Sequence, residues 1–105
     1  MSRYSIETDD GASVIVDTAN AQASWEEATR WNGSNHISVA TGSQWEHETL
    51  YRSAKGRYYI EHTSQWQGST PSARFVSEEE AARWLLANER DLPDDLAALE
   101  GQVSE

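Results

Sequence analysis

The sequence predicts an α+β fold: an antiparallel β-sheet of four to six strands built on a central hairpin, with a C-terminal helix packed on one face. Three observations lead there. Residues 45–53 and 57–66 concentrate aromatic, β-branched and threonine side chains, which suit a pleated surface, on either side of Lys55-Gly56. Residues 3–8 (RYSIET) and 13–18 (SVIVDT) repeat that composition around Asp9-Asp10-Gly11. Residues 78–90 (EEEAARWLLANER) gather Ala81, Ala82, Trp84, Leu85 and Leu86 on one helical face. A length of 105 residues makes this a single domain, residues 1–105, able to bury about two thirds of the surface its unfolded chain exposes.

Taken in order, residues 1–18 read as an N-terminal hairpin with Tyr4, Ile6, Val14 and Val16 available for one face. Residues 19–33 (ANAQASWEEATRWNG) admit two readings. Ser24 with Glu27 fits a capping box, and Ala21, Trp25 and Ala28 fall at helical spacing, so a short helix is preferred. The rival is a strand from Trp25 to Trp31 entering a turn at Asn32-Gly33. Residues 35–42 hold a brief alternation, Ile37 and Val39, for a strand or an ordered loop.

In the central hairpin, residues 45–66, a two-residue loop at Lys55-Gly56 sets Tyr51 opposite Ile60, Thr49 opposite His62 and Trp45 opposite Trp66. That register, the preferred one, gathers Trp45, Tyr51, Tyr58, Ile60 and Trp66 on a single face. A three-residue loop with Gly56 in the left-handed region pairs Leu50 with Ile60 instead and separates the two tryptophans. Residues 67–72 form a loop and 73–76 a short strand. Ser77 with Glu80 opens the main helix, residues 78–90, and its first-turn glutamates suit the positive end of the helix dipole. Pro93 opens a second short helix, residues 93–100, that Gly101 ends.

The chain has 18 acidic and 8 basic residues and a net charge of −10. Residues 1–76 carry a net −3 and residues 77–105 a net −7, so the last quarter is the acidic part. Binding a phosphate backbone requires clustered Lys and Arg, which argues against direct nucleic-acid contact and for a basic protein or nucleoprotein partner. With no cysteine there is no disulfide framework and no thiolate metal site. No apolar run approaches the ~20 residues of a membrane helix. The expected location is the cytoplasm, without membrane contact.

Catalytic signatures are sparse: there is no G-x-S-x-G elbow and no phosphate-binding glycine loop. In the preferred register His47 and His62 share a face, and with His36 they are the alternative metal ligands of a small hydrolytic or metal-binding domain. Otherwise the chain reads as non-enzymatic and without a cofactor. The candidate partner-binding residues are the carboxylates Glu78, Glu79, Glu80, Glu89, Asp91, Asp94 and Asp95, spaced where a nucleic-acid-binding protein would meet phosphates, together with Trp25 and Trp31.

The runs TGSQWEHETLYRSAKGRYYIEHTSQWQGS and EEAARWLLANE resemble a family of small phage- and plasmid-associated proteins of unassigned function, over residues 30–90. By size, acidity and motif content the chain is also similar to anti-CRISPR and anti-restriction proteins. That likeness implies an inhibitor of host defence machinery that occupies a basic, nucleic-acid-binding surface in the host cytoplasm, and it transfers no individual site residue. An antitoxin-like module that neutralises a basic partner is a further alternative.

Overall fold

A computed structural model describes residues 3–8, 10–65, 68 and 70–103. The central hairpin closes through Ala54-Lys55-Gly56. The Ser53 N–H donates to the Arg57 carbonyl at 2.7 Å, the Gly56 N–H returns to the Ser53 carbonyl at 2.9 Å, and Gly56 adopts φ +87°. Only one loop residue then needs the left-handed region, and it is the one without a Cβ. Strands β6 (Glu46–Arg52) and β7 (Tyr58–Ser64) accordingly pair Leu50 with Ile60, Tyr51 with Tyr59, and Glu48 with His62.

This register corrects the expected two-residue loop: Tyr51 does not face Ile60, and His62 faces Glu48 rather than Thr49. The expectation of one aromatic and one polar face assumed that only one side of the ribbon is covered. In fact both are. The Trp45–Trp66 pairing falls on Trp66, outside the described residues; Trp45 itself is 42% exposed.

The hairpin is the middle of a four-stranded antiparallel sheet, β3-β6-β7-β8, formed with β3 (Ala23–Glu26) and β8 (Ser72–Phe75). Two separate two-stranded ribbons complete eight strands among the described residues: β1 (Arg3–Glu7) with β2 (Ser13–Asp17), and β4 (Thr29–Trp31) with β5 (His36–Ser38). The α+β class, the N-terminal hairpin and the antiparallel pairing agree with the sequence reading.

Residues 19–33 do not form the expected helix. A 3₁₀ turn at Thr18–Asn20 leads into β3, then β4 runs into a turn where the Asn32 N–H donates to the Asn35 carbonyl at 3.1 Å. Asn32 Oδ1 also accepts from the Ser34 and Asn35 N–H groups at 2.9 and 2.8 Å, which is why asparagine suits the position. Tertiary pairing outweighs the helical pattern here: Trp25 sits opposite Leu50 in the sheet and tilts against the Tyr58 ring at 6.1 Å.

α1 (Glu78–Ala87) is capped by Ser77, whose Oγ accepts the Glu80 N–H at 3.0 Å. Ala81, Ala82, Trp84 and Leu85 bury against Leu50, Tyr58 and Ile60 on one face of the sheet, with Leu96 closing that core. The opposite face carries Tyr59, stacked on Tyr51, and is covered by Ile6 and Val16 of the N-terminal ribbon.

α1 ends three residues before the expected boundary. Asn88 caps it, Glu89 turns into the left-handed region at φ +60°, and the Glu89 and Arg90 N–H groups donate to the Leu86 and Leu85 carbonyls. The expected 93–100 helix is likewise displaced. Residues 94–96 form a turn, a 3₁₀ segment spans Ala97–Leu99, and a one-turn α2 (Glu100–Val103) runs through Gly101 rather than stopping there. No helix among the described residues is long and apolar enough to cross a membrane.

Candidate functional site

The acidic C-terminal segment is fixed from both ends and from beneath. Ser77 caps its start, Asn88 is buried at its middle, and Leu96 is buried near its end. Asn88 also ties the segment to the β3–β4 connection: its Oδ1 accepts the Ala28 N–H at 3.0 Å, and its Nδ2 donates to the Trp84 carbonyl at 2.8 Å. Arg90 Nε donates to the Glu26 carbonyl at 3.0 Å, which docks the helix C-terminus on the end of β3. The carboxylates are therefore displayed from a positioned backbone.

The seven candidate carboxylates divide into two groups. Glu79 pairs with Arg83 one turn on, Glu80 with Arg74 of β8 at 2.7 Å, and Asp95 accepts the Tyr58 hydroxyl at 2.8 Å with Arg52 at 3.5 Å. Asp95 is thus engaged by the fold, its partly exposed carboxylate accepting the hydroxyl of a buried tyrosine. Burial, and then this carboxylate, push the Tyr58 hydroxyl well above the usual tyrosine range. Glu78, Glu89, Asp91 and Asp94 are exposed and make no ion pair among the described residues. They flank both ends of α1, about 15 Å apart at a rise of ~1.5 Å per residue.

Of the two candidate tryptophans, Trp31 is 61% exposed, with its ring 5.1 Å from His36. Trp25 is half-buried, packed against the α1 core. Trp45, in the loop before β6, takes its place among the exposed aromatics.

The imidazoles do not converge. His47 and His62 lie on opposite faces, because the observed register sets His62 against Glu48. His62 Nε2 is 3.6 Å from Glu46, and His36 is on the separate β4–β5 ribbon. Among the described residues no three His, Asp or Glu side chains are grouped to hold a metal ion.

Sequence reasoning missed the role of Glu27. Its carboxylate, 10% exposed, bonds His47 Nδ1 at 2.8 Å and accepts the Glu48 N–H at 2.6 Å where β3 has ended. It replaces a strand carbonyl at that edge. Glu48 in turn accepts the Trp84 indole N–H at 3.1 Å, linking the sheet to α1. The local signal, Ser24 and Glu27 at capping-box spacing, pointed to a different structure.

No family model, curated protein or solved structure matches the chain.

Proposed function

We propose that this protein is a non-enzymatic, acidic binding protein that docks on a basic protein surface of the kind that otherwise holds nucleic acid, acting there as an inhibitor. The observation that carries this reading is the set of four exposed carboxylates, Glu78, Glu89, Asp91 and Asp94, without ion pairs among the described residues and held at the two ends of a capped helix whose inner face is buried. Charges held this way steer association and meet cations with little ordering cost.

Glu89 adds support. It occupies the left-handed position after the helix, where glycine is favoured, and its Cβ costs about 1 kcal/mol there. A strained acidic residue at an exposed site fits a binding role better than a folding one. The resemblance to proteins of phages and plasmids makes host defence machinery the expected class of partner.

Affinity capture from a bacterial host lysate at moderate salt tests this. The retained protein should be basic, should elute on raising the salt, and should be displaced by duplex DNA. A retained partner that is neutral or acidic and indifferent to both treatments contradicts the proposal.

A further inference from the structure

The face of the sheet opposite α1 carries a feature of the other sign. A cleft of about 520 Å³ opens between β2 of the N-terminal ribbon and the turn joining β6 to β7. Its apolar wall is made by Val14, Val16 and Phe75. Three cations stand around it, Arg3, Lys55 and Arg57, although the chain has only 8 basic residues and Lys55 is its single lysine.

The Arg57 guanidinium lies 3.7 Å over the Phe75 ring, an attraction that fixes it at the wall. Lys55 projects from the tip of the turn and is exposed. Neither makes an ion pair with a carboxylate among the described residues. Asp17 also lines the cleft, but its carboxylate is occupied by the Ala19 N–H at 2.9 Å and Arg3 Nε at 3.2 Å. Those two contacts, the backbone one first, hold its pKa below the usual carboxylate value. Arg3, Lys55 and Arg57 against Asp17 leave a local charge of +2 in a molecule of −10.

We infer that this cleft binds a small organic monocarboxylate with an apolar body, its ring or short alkyl chain against Val14, Val16 and Phe75 and its carboxylate toward Lys55 and Arg57. The volume falls within the range of about 300–1,000 Å³ usual for small-molecule sites, and an apolar wall with a few convergent polar groups is their usual construction. The apolar wall raises the strength of the charge contact by excluding water, and the acidic remainder of the surface repels the same anion. The inference is independent of the acidic surface on the other face and goes beyond it.

Titration of the full chain with 4-phenylbutyrate, followed by amide NMR shifts and by calorimetry, tests it. Binding should saturate, with shifts concentrated at residues 14–17, 53–57 and 75. The double variant Lys55→Gln, Arg57→Gln should weaken it about tenfold or more, the size of losing a charge-assisted hydrogen bond. The neutral analogue 4-phenylbutanol should bind the wild type more weakly by a similar factor. Lys55→Gln alone, at an exposed turn position, keeps the fold and should give an intermediate loss. The absence of saturable binding, equal affinity for the alcohol, or unchanged affinity in both variants overturns the inference.

Discussion

Tyr59 shows what single side chains contribute. It is fully buried between the sheet and the N-terminal ribbon, stacked 5.2 Å from Tyr51 and edge-on to Phe75, yet its hydroxyl has no hydrogen-bond partner among the described residues. A buried, unsatisfied hydroxyl costs folding free energy without return, so Tyr59→Phe should stabilise the protein by about 1 kcal/mol in urea denaturation. Burial first, and then the neighbouring Tyr51 and Glu61, push the Tyr59 pKa from 10.0 up to about 12. Its neutral form is the one that folds, while the unfolded chain releases this proton near pH 10. The contribution is thus complete below pH 10 and is lost as pH rises toward 12. Tyr51, raised mainly by burial, adds to the loss in the same direction. The urea midpoint should fall between pH 10 and 12, and less steeply in Tyr59→Phe; a flat profile across that window contradicts this.

At the scale of elements, Glu27 decides where one strand stops and the next is held. Glu27→Ala leaves the Glu48 N–H and His47 Nδ1 without their partner and should cost about 2–4 kcal/mol by urea denaturation. Ser24→Ala should change stability by less than about 0.5 kcal/mol, because Ser24 is an exposed strand residue. Comparable losses from both would restore the capping-box helix. This segment also marks the limit of what the sequence discloses. The hairpins, α1 and their turns were legible because Gly11, Gly56 and Ser77 act on their own neighbours. β3 was not, because the residues that hold it, Leu50, Glu48 and Asn88, are 21 or more positions away. The hairpin register lay between: both loops were visible, and choosing required knowing that the N-terminal ribbon covers the second face. The acidic residues were all readable, whereas the division between those engaged by Arg74, Arg83 and Arg52 and those left outward depends on packing across the sheet.

For the molecule as a whole, the sheet lies between exposed carboxylates at the ends of α1 and a small cationic cleft beside the N-terminal ribbon. The acidic side keeps a residue that the fold would do better without. Glu89→Gly should raise stability by about 1 kcal/mol by relieving the left-handed Cβ, while weakening partner binding. The most direct measurement compares the captured partner's affinity for Glu89→Lys/Asp91→Lys/Asp94→Lys with its affinity for Glu79→Gln/Glu80→Gln, at fixed salt. A fall of about a hundredfold is expected for the first and under about threefold for the second, since charges already paired add little at an interface. Equal losses in both, or none in the first, would contradict it.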